Sequence, residues 1–223
     1  MRLENGGSLL SSLLDWNQTY LAGKMVAILG RVGALRNDLI LELLSSAASH
    51  QNVLFLHSRL HFPVERFKEL TGGDESRLAR VRLLYLPNFS FQERMISVSE
   101  TLMSKDNLRL LFFDSPVDNY MDSLSVNWNM SSALRRVHSS FVKQLATLKE
   151  MCLEQGIGVL FTLDSNENRM TVQKYAIDIW SDLVIAIEQI EPRRGRLYMR
   201  AKYPDERDEV HDITIKKEGP SIE

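Results

Sequence analysis

At 223 residues, 44% hydrophobic and 25% charged, the chain is sized for one α/β domain with a continuous core, or at most two small ones. Its formal net charge of -2 argues against nonspecific attraction to nucleic acid and leaves only a local basic patch for that purpose. The single cysteine, Cys152, excludes an intrachain disulfide and implies a reducing, intracellular setting.

The opening "MRLENGGSLLSSLLDW" has no basic segment leading into a long apolar one, so no signal peptide is expected. No apolar run approaches the ~18 residues of a membrane span. A cytoplasmic protein with no membrane partner is expected, and association with the nucleoid is compatible with that.

Short apolar runs alternate with longer amphipathic ones, the pattern of βαβ units and a largely parallel sheet. In chain order the strand candidates are "MVAIL" (25–29), "NVLFLH" (52–57), "VRLLYL" (81–86), "LRLLFF" (108–113), "IGVLFTL" (157–163) and "DLVIAIE" (182–188). Most are nearly unbroken apolar stretches, as a sheet covered on both faces requires. Helical periodicity falls on Leu35 to Ser49, Ser90 to Ser104 and Ser131 to Gln155. In the last, Leu134, Val137, Phe141, Leu145, Leu148 and Cys152 recur at three- and four-residue steps.

After Glu188 the texture changes. "RLYMRAKY" and "VHDITIKK" read as antiparallel strands joined by the polar turn "PDERDE". With no repeat and no linker long enough to divide the chain, residues 1–223 read as one domain. It has a lead-in over 1–22 and a hairpin extension over 189–223.

The chemistry-bearing stretch is "GRVGALRNDL" (30–39), which follows an apolar strand and opens a helix. A phosphate-binding loop there reads G-x-x-x-x-G-K-[ST], with backbone amides around the phosphates, a lysine on them and a hydroxyl on Mg²⁺. Gly30 fills the first position and Gly33 lies inside the loop. Leu35, Arg36 and Asn37 stand where glycine, lysine and the hydroxyl belong. Arg36 keeps the charge, but a planar guanidinium is not a compact ammonium. Taken alone, a glycine-bearing turn of any α/β protein fits the stretch equally well. Downstream, "LRLLFFDS" ends an apolar strand on Asp114, the form of a Walker B carboxylate. An Asp that merely ends a strand is the plainer alternative.

Five segments in order, "GKMVAILG", "VLFLHSRLHFPVERF", "LRLLFFDSPVDNY", "GIGVLFTLDS" and the final basic hairpin, resemble the RecA/RadA recombinase family, most closely its short archaeal RadB branch. The resemblance implies a RecA-like P-loop core: α/β, a mostly parallel central sheet flanked by helices, and a C-terminal antiparallel hairpin. It also implies ATP and Mg²⁺ as family ligands, and departures at the site put both in doubt for this chain. The family's Gly-Lys-Thr is Leu35-Arg36-Asn37, its water-orienting glutamate aligns with Arg59, and its Asn-Gln sensor aligns with Leu163-Asp164. Only Asp114 survives of the chemical set. Phosphoryl transfer depends on positioning and electrostatics supplied together, so a vestigial site with no catalytic residue and no cofactor is expected at Gly30, Gly33, Arg36, Asn37, Arg59, Asp114 and Asp164. Arg36, Arg59 or both either pair with Asp114 or stay solvated.

The partners that the resemblance implies are a RadA-type recombinase and single-stranded DNA, with self-association or heterotypic pairing left open. Candidate contacts are Tyr120 and Trp128 in "SPVDNYMDSLSVNWNMSS" (115–132), read as a loop, and Arg169 and Lys174 in "DSNENRMTVQK". Arg193, Arg194, Arg196, Tyr198 and Arg200 of "PRRGRLYMRAK" complete the set. For Tyr120 and Trp128 a place in the core is the alternative, and for the arginines an exposed, solubilising turn. His57 and His61 are four apart, but no histidine shows ligand spacing with carboxylates or cysteine, so no metal is expected. Cys152 fits the apolar stripe of its helix.

Overall fold

The structure is a computed structural model that describes residues 3–4, 21–31, 33–58, 62–126, 131–164, 176–191, 194–201 and 207–215. In chain order they form β1 (Leu3–Glu4), β2 (Met25–Gly30), α1 (Ala34–Ala48), β3 (Asn52–His57), α2 (Val64–Thr71), α3 (Glu75–Ala79), β4 (Val81–Tyr85), α4 (Phe89–Lys105) and β5 (Leu108–Asp114). Then follow α5 (Pro116–Val126), α6 (Ser131–Gln155), β6 (Gly158–Leu163), a π-helical turn (Ala176–Trp180), β7 (Leu183–Glu191), β8 (Arg194–Ala201) and β9 (Arg207–Ile215).

Among the described residues the strands build one sheet in the order β1-β9-β8-β7-β2-β6-β5-β3-β4. From β7 to β4 all neighbours are parallel. From β7 through β8 and β9 to β1 they are antiparallel. Fold class and hairpin therefore stand as the sequence implies, and β3 and α6 keep the bounds read from periodicity.

The parallel part is buried on both sides, which is why its strands carry so few polar residues. Along β2, Val26 and Ile28 join Leu39, Leu43, Phe55 and Phe112 on the α1 side. Met25 and Ala27 join Leu54, Leu111, Phe141, Leu148 and Phe161 on the α4–α6 side. Successive side chains on a strand point to opposite faces, so a continuous apolar run feeds two cores.

Side chains close the helix ends where the sequence offers them. The Asp74 carboxylate accepts from the amides of Ser76 and Arg77 ahead of α3, and Asn88 accepts from Phe91 ahead of α4. One expectation fails here: residues 115–132, read as a loop, include the helix α5. Pro116 takes the first helical position, where its missing N–H costs nothing, and Asp118 lies in the favourable first turn. Pro116, Val117, Asn119 and Tyr120 are the buried side of α5. A buried amide network secures that helix: the Gln92 Nε2 donates to Pro116 O at 3.1 Å and to Gln144 Oε1 at 2.8 Å. Thereby α4, α5 and α6 meet at the end of β5.

Two measurements check the packing. A Cβ added at Gly158 would lie 2.9 Å from Leu110 Cδ1 and 3.0 Å from Leu21 O. Gly158→Ala should therefore destabilise the chain by about 1–3 kcal/mol in a urea titration, the usual cost of overpacking. Burial pushes the Cys152 thiol up to about 12, so the reactive thiolate is scarce at neutral pH. A disulfide-exchange reagent should leave Cys152 unmodified in the folded chain and label it once urea unfolds the protein.

Candidate functional site: a filled strand-to-helix junction

In an open parallel sheet, ligands collect at the carboxyl ends of the strands where connections diverge to opposite sides. Here that point lies at the end of β2, which has β6 on one side and β7 on the other. Gly30 closes β2 in register with Ile187 of β7, and a Cβ at Gly30 would lie 3.1 Å from the Ile187 Cβ. The glycine thus answers in part to strand packing. Gly33 precedes α1 in fully extended backbone (φ 178°, ψ 179°) without a side-chain cap, and its carbonyl accepts the Asn37 amide at 3.1 Å. Of Leu35 only the backbone, in α1, is described, and Arg59 lies outside the described residues.

Arg36 turns into the protein. It is 1% exposed, the largest of the fully buried side chains among the described residues. Its Nη1 donates to Gly30 O at 3.3 Å, and its Nη2 donates to Asp114 Oδ1 at 3.2 Å. The guanidinium therefore links the end of β2 to the end of β5. The Thr162 hydroxyl of β6 donates to the same Asp114 oxygen at 2.5 Å. Of the two possibilities for Arg36, pairing with Asp114 is the one realised.

The backbone around Asp114 is also held. Its carbonyl accepts from the Ser58 amide at 2.8 Å, and the Ser58 hydroxyl lies 3.4 Å from Asp118 Oδ2. Asn37, expected from the resemblance at the place of the Mg²⁺-binding hydroxyl, is exposed, and Asp164 is half-buried just past β6. Sequence reasoning did not single out Thr162, Ser58 or Asp118 as site residues. Thr162 had a readable signal, because it is the one hydroxyl in the buried strand "GVLFTL", and buried hydroxyls require partners.

Beside this junction a small pocket open to solvent is lined by Asn37, Ile40, Leu41, Phe55, His57, Phe62, Pro63 and Asp114. Among the described residues its lining holds one carboxylate and neither lysine nor arginine, unlike a phosphate cradle. Among the described residues no group of three or more His, Cys, Asp or Glu could hold a metal ion, and no helix is long and apolar enough to cross a membrane.

The candidate contact surfaces divide. Tyr120 is a correction: it is 3% exposed, its ring stacks on Phe141 at 4.3 Å, and its hydroxyl meets His138 Nδ1 at 3.0 Å. As part of the α5–α6 packing it offers no ring to a base, and burial raises its pKa. Trp128, Arg169, Lys174 and Arg193 lie outside the described residues. Arg196, Tyr198 and Arg200 share one face of β8 by the two-residue period, and of Arg194 only the backbone is described. On the neighbouring strands Arg196 stands opposite Glu188 and Asp212, and Arg200 stands opposite Asp208. Tyr198 is exposed and its hydroxyl donates to Glu188 at 2.7 Å. The basic run is thus interleaved with acids contributed by β7 and β9.

Parallel sheet, flanking helices, strand-to-helix junction and acidic strand end together define a RecA-like core. No family model matches the chain. Among characterised proteins it is similar to the DNA repair and recombination protein RadB of Methanococcus maripaludis strain C5, at 25% identity over 161 residues, 71% of this chain and 72% of that protein. The RadB of a second Methanococcus maripaludis strain matches with the same identity and coverage. Over about 71% of its length the chain is thus similar to proteins named for DNA repair and recombination.

The junction makes a quantitative prediction. Arg36→Ala would strand the Asp114 carboxylate in a largely buried setting, which typically costs about 3–5 kcal/mol. The double substitution Arg36→Met with Asp114→Leu removes both charges and should recover most of that loss. Urea denaturation of the two variants against the parent checks this, and equal destabilisation by both would show that the pair is not coupled.

Proposed function

We propose that the chain is a noncatalytic RecA-fold paralog that serves DNA repair and recombination without using nucleotide, acting through protein contact with a RadA-type recombinase. The observation that carries this reading is Arg36, buried at the position of the phosphate-binding lysine and paired with Asp114, the carboxylate of the Walker B strand. An internal guanidinium there takes the place of external cation and phosphate. The water-orienting glutamate is replaced by Arg59 in the sequence, which removes a second member of a set that works only together.

The similar proteins of Methanococcus maripaludis supply the process, DNA repair and recombination. Single-stranded DNA is the weaker ligand of the two. The arginines of β8 stand opposite acids, and the net charge is -2, whereas backbone binding draws on uncompensated positive charge.

Thermal unfolding with millimolar Mg·ATP or Mg·ADP tests the site. A nucleotide at a hundredfold excess over its Kd adds about 2.7 kcal/mol, several degrees in Tm for a domain of this size. The expected result is no shift; a clear shift would restore a nucleotide switch or an ATPase with a deviant P-loop. Titration against a purified RadA-type recombinase should then show binding of equal strength with and without nucleotide. Failure to bind the recombinase, with no nucleotide shift, would favour a scaffold role outside recombination.

A further inference from the structure

Outside the buried contact of Gln92 with Gln144, α4 and α6 meet along a seam that faces solvent. The Ser140 hydroxyl of α6 donates to Glu93 Oε1 of α4 at 2.6 Å, and Gln155 Nε2 donates to Glu100 Oε1 at 2.9 Å. Later residues of one helix thus meet later residues of the other, so the two run in the same direction. Their N-terminal ends lie toward the same end of the sheet, and neither helix has an acidic residue in its first turn. Two helix dipoles therefore present their positive ends together without compensation.

Side chains add to that charge. Between Asp122 and Glu150 the chain has no aspartate or glutamate, and Arg135, Arg136 and Lys143 of this stretch are exposed on α6. Arg136 and Lys143 lie one helical turn to either side of Ser140 and so share its side of the helix, toward α4. On α4, Arg94 is exposed, with its guanidinium 5.7 Å from the Phe91 ring centroid, and Val98 one turn on is 42% exposed. Elsewhere on the described surface Arg66, Lys68, Arg77, Arg82 and Lys149 each pair with a carboxylate. Among the described residues Arg94, Arg135, Arg136 and Lys143 pair with none.

The patch is short. Arg136 and Lys143 stand about 10 Å apart along the helix at the usual rise per residue, and Glu100, Glu150 and Glu154 are exposed beyond them. A nucleic-acid backbone running on along α6 meets like charge there, whereas a short acidic peptide segment ends before it. Val98 beside Arg94 offers nothing to a phosphate chain and suits an apolar side chain of a peptide.

We infer that an acid-rich, partly apolar segment of a partner protein docks across α4 and α6, its carboxylates meeting Arg94, Arg136 and Lys143. This rests on the reading that the chain acts through protein contact, and it supplies the chemistry of one such contact. Exposed charges of this kind govern encounter rate and partner choice and are screened by salt.

Fluorescence anisotropy of the full chain with a labelled peptide alternating Glu and Leu tests the surface at low ionic strength. Binding is expected, and added salt should weaken it. Arg136→Glu should weaken it about tenfold, as a like charge placed at a contact does, with the unfolding temperature unchanged. Lys105→Glu, the same charge change at an exposed lysine at the far end of α4, should leave it intact. Labelled oligothymidylate should bind more weakly than the peptide and without dependence on Arg136. No peptide binding, equal weakening by the two substitutions, or tighter binding of oligothymidylate through Arg136 would overturn the inference. Its failure is separable from that of the recombination role. A recombinase bound alike by the parent and by Arg136→Glu, with no peptide binding, overturns this surface alone. Peptide binding through Arg136 without recombinase binding supports the surface and removes the recombinase as partner.

Discussion

The guanidinium of Arg36 sits where four segments converge: the end of β2 through Gly30 O, the first turn of α1, and, through Asp114 and Thr162, the ends of β5 and β6. Taking a cation out of water is costly, and it is sustained only by good geometry toward an opposite charge and further acceptors. Arginine suits the role better than lysine. Its planar fork reaches two acceptors from one rigid group, whereas an ammonium is a compact and strongly hydrated point charge. One side chain thereby sets the spacing of three strand ends.

A site completed from within has a thermodynamic consequence. Where a ligand finishes a fold, stability follows ligand concentration. Where a covalently attached side chain does so, the effective ligand concentration is fixed and the junction is held at all times. The buried amides of Gln92 and Gln144 extend the same logic to the opposite face of the sheet, fastening α5 directly after Asp114. The end of β5 is thus gripped on the α1 side by a charge pair and on the α4–α6 side by hydrogen bonds. Such an arrangement suits a rigid binding surface better than a nucleotide-gated one.

The strands were legible because sheet burial on both faces leaves a signal that depends on little else: "NVLFLH" and the stripe of α6 need only their own residues to be recognised. α5 was not, since its polar surface hides a short buried side and its start is marked by a proline that also suits turns. The fate of Arg36 was open for a deeper reason. Whether an arginine is buried depends on acceptors that arrive from β5 and β6, far along the chain, and no local pattern records their convergence. The surroundings of the basic run of β8 were hidden in the same way. Its density of arginine is local, while the acids opposite it come from Glu188, Asp208 and Asp212 on adjoining strands.

That interleaving bears on what the antiparallel side of the sheet can recognise. Phosphate binding is additive in uncompensated charge, so a ladder in which each of two arginines meets an acid loses most of that attraction. Alternating charges at fixed register retain something else: they discriminate between partners that match the alternation and those that do not, and like-charge juxtaposition excludes the wrong ones. The exposed Tyr198 lies in the same row, tethered through its hydroxyl to Glu188 and so held with little rotamer freedom to lose. An ordered aromatic flanked by arginines in register with acids is the composition of a protein-binding surface more than of a nucleic-acid groove. The filled junction at one end of the sheet and the acids in register with arginines at its antiparallel side both accord with the proposal that this fold works by contact with proteins.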